Sequence, residues 1–288
     1  MRAHKSLVLV LSTLLAATAH AGELRVVNAG QDVSDANPQA SYWQKAPVET
    51  VVLTGQPMIT PRPATTTTTT VQVQAVHDGQ WVAFRLRWKD PERSGAGRLG
   101  EFSDAAAIQF PIKEGPPPPV FMGTKDNPVH IYHWRAQYQD DRLKGKPGMR
   151  ELYPNMAVDL YPLEFSDPGH VGRFDEAETD TFSPGRASGN PQSFVKTGVD
   201  EIYAEGFSTS SVQAGNRSVA DGRFENGEWT LVIARKMTSD GGSKLESGKK
   251  GYAAFAIWQG GQGEVGSRKS VTMQWIPFDV ETPREARR

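Results

Sequence analysis

The sequence predicts an all-β protein, a β-sandwich with long loops and one long irregular insertion. Three observations carry this. Short runs alternate apolar and polar residues at the period of a half-buried strand. Turn dipeptides separate those runs. No long segment repeats its apolar residues every 3.6 positions, as an amphipathic helix must. The 28 glycines, 20 prolines and mean hydropathy of −0.50 suit a loop-rich β protein.

The elements follow in chain order. Thr65 to Gln74 is β-branched and alternating, His77-Asp78-Gly79-Gln80 is a turn, and Trp81 to Trp88 alternates again. Together they predict a hairpin around Asp-Gly. Ala107-Ile108-Gln109-Phe110-Pro111 and Val129 to Trp134 read as two strands joined by a proline-rich loop. The stretch from about 137 to 198 is rich in Asp, Glu, Pro and Gly and lacks periodicity; it is the expected insertion. After it, Asn226-Gly227-Glu228 is a turn into the alternating run Trp229 to Arg235. Tyr252 to Trp258 is continuously apolar, as in a strand buried on both faces, and Ser270 to Trp275 is a last short strand.

The first 21 residues read as a secretory signal: Arg2 and Lys5, then an apolar stretch from Leu7 to Ala17, then Ala19-His20-Ala21 as a cleavage site. The expectation is a periplasmic protein whose single domain spans 22–288, with no membrane-spanning segment. Cysteine is absent, which excludes disulfides, iron–sulfur and zinc–thiolate ligation, thiol nucleophiles and covalently attached haem. A net charge of −1 gives no footprint for nucleic acid or an anionic membrane. There is no Gly-x-Ser-x-Gly elbow, no His-Glu-x-x-His and no phosphate loop, so no catalytic residue is assigned. His77 and His170 read as exposed loop residues, and His130 and His133 fall on opposite faces of one strand, so they do not share a metal.

Met122 stands out by context. It lies in the loop between two strands, flanked by Phe121 and Gly123. A thioether there is free to enter a pocket as a soft ligand, and haem iron takes such a ligand. Taken alone, a loop methionine is more often a packing residue. Met237 and Met273 read as core.

The order of motifs is more specific than any one of them. Asp104-Ala105-Ala106-Ala107-Ile108-Gln109-Phe110-Pro111, Phe121-Met122-Gly123 and Ile131-Tyr132-His133-Trp134-Arg135-Ala136 come first. Ala204-Glu205-Gly206-Phe207-Ser208-Thr209, Gly227 to Arg235, Ala254 to Gly260 and Gly266-Ser267-Arg268-Lys269-Ser270 follow. From about residue 40 to 276 this series resembles the haem b-binding gamma subunit of ethylbenzene dehydrogenase and its counterparts in dimethylsulfide dehydrogenase, selenate reductase and chlorate reductase. The resemblance implies one non-covalent haem b in a β-sandwich, with a methionine and a lysine as axial ligands of the iron. It also implies an electron-transfer subunit that partners an iron–sulfur subunit and a molybdenum catalytic subunit. Met122 matches the Phe-Met-Gly position. For the lysine, Lys269 is favoured, because its loop returns toward the mouth of the sandwich; Lys236, at the end of the Trp229 run, is the second candidate. Lys244 and Lys196 read as solvated surface charges. The long insertion departs from shorter members of the family.

A lysine can ligate iron only as the neutral amine, although its free pKa is about 10.4. Burial and the metal's charge must therefore suppress protonation. A different reading is an exported carbohydrate-binding β-sandwich without haem, with Trp81, Trp88 or Trp134 stacking on sugar.

Overall fold

The computed structural model describes residues 23–95, 97–147, 149–155, 184–188, 198–213, 218–239 and 241–282. Fourteen strands are described: β1 Leu24–Asn28, β2 Glu49–Val52, β3 Thr54–Gly55, β4 Thr70–His77, β5 Trp81–Lys89, β6 Ala105–Pro111, β7 Val129–Arg135, β8 Val199–Ala204, β9 Ser211–Val212, β10 Val219–Glu225, β11 Glu228–Lys236, β12 Lys250–Trp258, β13 Ser270–Val271 and β14 Ile276–Val280. They hydrogen-bond in the order β10-β11-β5-β4-β1-β14-β12-β6-β7-β8-β9, with β2 on β4 and with β13 bridging β12 to β3. The predicted all-β class and sandwich architecture are what the structure has.

The sheet folds over at β12 into two layers. Phe84 of β5 meets Phe110 of β6 at 5.5 Å between ring centroids, and Trp134 of β7 meets Trp229 of β11 at 5.1 Å. These rings belong to one buried cluster with Leu24, Val73, Phe255 and Phe278. Fully burying each large side chain contributes about 1.5–3 kcal/mol, which makes this interlayer cluster the main stabilising element. β1 runs parallel to both neighbours, β4 and β14, while the other ladders are antiparallel.

Several expectations change in detail. The hairpin of β4 and β5 around Asp78-Gly79 forms as predicted, with Asp78 Oδ1 accepting from the N–H groups of Gln80 and Trp81. The strand begins at Thr70, however, because the preceding threonines bond elsewhere. Thr66 Oγ1 accepts from Gly55 N, Thr67 Oγ1 donates to Glu264, and Thr68 Oγ1 accepts from Gln259. The last predicted strand stops at Val271. Thr272 still bonds the backbone of Phe255, but Met273 turns outward and is 40% exposed, so it is not core. Met237 is core, as expected.

His77 ends β4 fully buried, not in an exposed loop, and burial lowers its pKa. Trp88 and Trp134 are buried inside the sandwich, which removes them as sugar-stacking platforms. Of the expected insertion, the described part opens with helix α1, Ala136–Lys144, which periodicity did not announce. Asp140 and Lys144 pair across one turn at 3.1 Å, and Gly145 N caps Asp141 O at 3.0 Å. Residues 156–183 and 189–197, with His170 and Lys196, lie outside the described residues, as does the signal segment at 1–21. No described helix is long and apolar enough to cross a membrane.

Candidate functional site

Strands β6, β7 and β12 present different residues on their two faces. Register pairs Ala256 with Ala107, Ala254 with Gln109, and Gln109 with Ile131. These residues point away from the sandwich core. Alanine at Ala107, Ala254 and Ala256 leaves a low apolar floor where larger side chains would fill the space. Four loops rise around it and enclose a cavity of about 340 Å³. Their contributions include Gln56 and Ile59, Val120 to Met122, Phe207 and Ser208, and Gly266, Ser267 and Lys269, with Trp258 on the wall.

Met122 and Lys269, the two residues singled out from sequence, line this same cavity. Lys236 does not: it is exposed at the end of β11. Lys244 is likewise exposed.

Met122 is held in an unusual conformation. Its φ is +65°, followed by Gly123 at +72°. A side-chain-bearing residue in the left-handed region costs roughly 1–2 kcal/mol, so its surroundings must hold it there. Gly206 N donates to Met122 O at 2.8 Å, and Met122 N donates to Val120 O at 3.2 Å. Gly123 cannot be replaced, since a Cβ would lie 2.9 Å from Asn127 O. Side chains fix the rest of the loop. Gln109 Nε2 donates to Val120 O at 2.8 Å, and Trp275 Nε1 donates to Pro118 O at 2.6 Å. Met122 packs against the cluster that holds Ala107, Ile131 and Trp258.

Lys269 sits just before β13. Its carbonyl accepts from Gln56 N at 3.0 Å, which ties it to the strand-like segment at β3. Its Nζ lies 4.8 Å from the centroid of the Trp258 ring. No hydrogen bond or ion pair to Nζ exists among the described residues. Two effects oppose each other here. The ring face favours the ammonium, whereas burial against apolar walls disfavours it. Burial wins, and the pKa falls to about 8. His133 stands on the same sheet face, 5.1 Å from Trp258 between ring centroids, and burial keeps it neutral. On the opposite face His130 contacts Tyr132, and its pKa is pushed down to about 4 by burial and by Arg235. The two histidines do lie on opposite faces, as their spacing predicted.

The donor set suits a haem. A thioether and an easily deprotonated amine, without a partner among the described residues, line one apolar cavity whose sheet floor carries three alanines. The floor and the Trp258 wall were not singled out from sequence. Their signal is the recurrence of alanine at alternate positions of two adjacent strands, Ala105 and Ala107 in β6 and Ala254 and Ala256 in β12.

The ethylbenzene dehydrogenase family model matches residues 40–270. The chain is 24% identical over 262 residues to a respiratory nitrate reductase heme subunit of Haloferax mediterranei, covering 90% of this chain and 73% of that one. It is 26% identical to the chlorate reductase subunit gamma of Ideonella dechloratans, covering 88% and 82%. It is 24% identical to the dimethylsulfide dehydrogenase subunit gamma of Rhodovulum sulfidophilum, covering 74% and 61%. Among solved structures, a family 9 carbohydrate-binding module from Caldicellulosiruptor kristjanssonii in complex with glucose matches at a TM-score of 0.43 and 8% identity, covering 92% of this chain and 98% of that one.

Proposed function

Because the chain belongs to the ethylbenzene dehydrogenase family, we propose that it is an exported, periplasmic haem b subunit that carries electrons for a molybdenum oxidoreductase. In this reading Met122 and Lys269 are the axial ligands, and the partners are an iron–sulfur subunit and a molybdenum catalytic subunit. The single observation that carries it is the meeting of Met122 and Lys269, 147 positions apart in sequence, in one apolar cavity. Similarity to a heme subunit and to two gamma subunits supports the cofactor class and a multisubunit assembly.

Bound haem would supply a one-electron relay between partner subunits. The chain's own residues do the rest. Lys269 must release the proton from Nζ before its lone pair can be donated. Lowering its pKa from 10.5 to about 8 removes about 3 kcal/mol of that cost at neutral pH. Met122 is preset by its left-handed backbone, so little ordering remains to be done on binding. Thioether donation favours the ferrous state. The alanine floor, Ile131 and Trp258 keep water from the cavity, and a low-dielectric surround tunes the potential. With Met122 and Lys269 both holding it, a bound haem would pass electrons rather than bind substrate. The exposed apolar side chains Met58, Phe207, Val265 and Met273 belong to the loops around the cavity and offer a docking rim for a partner subunit.

The test is a reduced-minus-oxidised visible spectrum of the purified protein. A low-spin b-type signature is expected in the native chain, with its loss or alteration in both Met122→Ala and Lys269→Ala. A native protein that takes up no haem would sink the reading. An unchanged spectrum in either variant would remove that residue as a ligand.

A further inference from the structure

Lys269 ends a loop that leaves β12 at Trp258, and the root of this loop contains more buried acid than its packing requires. Glu264 is 2% exposed and Asp104 is fully buried. Neither forms an ion pair among the described residues. Glu264 instead folds the loop onto itself. Its Oε2 accepts from Gln259 N at 2.8 Å, while Glu264 N donates back to Gln259 O at 3.3 Å. Its other oxygen accepts from Thr67 Oγ1 at 2.8 Å, tying the loop to the threonine segment before β4. Gln259 Nε2 extends the tie to Thr68 Oγ1 and Lys89 O, both at 3.0 Å. Asp104 Oδ1 holds the next residue, accepting from Gly260 N at 2.9 Å. Gly260 has no room for a side chain: a Cβ would lie 2.0 Å from Phe102 O.

The far end of the loop has its own ties, with Lys269 O accepting from Gln56 N at 3.0 Å and Ser270 paired in β13. Trp258 Nε1 donates to Gly266 O at 3.0 Å, and Ser267 Oγ donates to Pro61 O at 2.7 Å. Burying a carboxyl away from a counter-charge is costly unless its hydrogen bonds are worth more. Burial raises the Glu264 pKa, and its two donors offset this. The side chain that this loop carries to the cavity is Lys269.

We infer that Glu264 is a positioning residue, the buried clasp that closes the 259–264 turn and so aims Lys269 into the cavity. The inference deepens the haem reading and rests on it for its purpose, but the loop geometry can be tested without haem. In the haem-free chain, reductive methylation read by mass spectrometry compares the amine of Lys269 with the exposed amine of Lys236. Lys269 reacts slowly in the native protein. Glu264→Ala should raise its rate about tenfold, the equivalent of one lost buried hydrogen bond. Glu264→Gln, which can still accept from Gln259 N and pair with Thr67, should stay within about twofold of native. The haem-loaded protein gives the second readout, with the low-spin signature weakened in the alanine variant and restored by glutamine.

An unchanged Lys269 rate in Glu264→Ala overturns the inference, whatever the spectrum does. If that variant fails to give a native far-ultraviolet dichroism spectrum, Thr67→Val replaces it, since it cuts one of the two ties; a native Lys269 rate there is equally fatal. A native chain that binds no haem while the methylation rates behave as expected defeats the haem reading and leaves the clasp standing.

Discussion

The two faces of the layer built from β6, β7 and β12 use the same backbone for opposite ends. Its inner face carries Ile108, Phe110, Tyr132, Trp134, Phe255 and Ile257, which interlock with rings from the other layer. Its outer face carries Ala107, Ala254 and Ala256, which fill almost nothing. One face stabilises by volume and the other functions by the lack of it. Because side chains alternate strictly along a strand, both properties are written into the same residues at period two. A substitution on one face should therefore be nearly silent for the property housed on the other.

The largest effect should come from the inner face. Phe110→Ala removes a ring that contacts Phe84, Tyr132, Phe278 and Arg235. It should cost about 3–5 kcal/mol in denaturant unfolding, while any folded fraction still takes up haem. Loss of haem uptake without loss of stability would break the division between faces.

A second stability effect lies at the rim between layers and depends on pH. Asp90 is 2% exposed, and its pKa is pushed up to about 7 by burial and by the nearby Asp104. A raised acid pKa gives stability that is fully present below the unfolded value of 3.8 and is lost as pH rises through about 7. Between pH 5 and 8 this group should cost the native protein roughly 2–3 kcal/mol. Asp90→Asn offers an amide where the proton would sit and should abolish that slope. Chemical denaturation of both proteins at the two pH values measures it; identical slopes would show that Asp90 is ionised throughout.

On the outer face, Ala107→Leu should reverse the pattern seen with Phe110→Ala. It adds volume to the cavity and not to the core, so haem affinity should fall at least about tenfold while unfolding stability changes by less than about 1 kcal/mol. Haem titration with parallel denaturation distinguishes the two. The smallest effect belongs to Lys236→Ala. Exposed and away from the cavity, it should alter neither spectrum nor stability beyond about 0.5 kcal/mol. A lost low-spin signature would move the ligand assignment to the end of β11.

Much of this was legible in the chain. The β4–β5 hairpin was announced by its Asp-Gly turn, and β6, β7, β11 and β12 by alternation or unbroken apolarity. Met122 and Lys269 were reachable because a loop position and a motif order marked them. The rest was carried by partners far away in sequence. β1 owes its place to Phe278 and Ala75, neither of them near it in the chain. His77 was misplaced because a turn composition hides the fact that the residue before the turn can be buried by a parallel neighbour. The Thr65 to Thr69 run has strong strand propensity, yet its hydroxyls and amides serve loops that the propensity does not see. Lys269 could be favoured from topology, but its lack of a counter-ion could be seen only once its neighbours were assembled.

The parallel placement of β1 has a consequence for how the molecule comes into being. Leu24–Asn28 lies mid-sheet, with β14 on one side, and Glu281 N returns to Val26 O at 2.9 Å. The first described strand thus waits for the last. Contacts that close loops of some 250 residues form late and slowly. A folding chain can make its local hairpins in turn but cannot seal its middle until Val280 is available to Val26. Synthesis is therefore followed by a distinct act of closure, and until then β1 presents an open sheet edge.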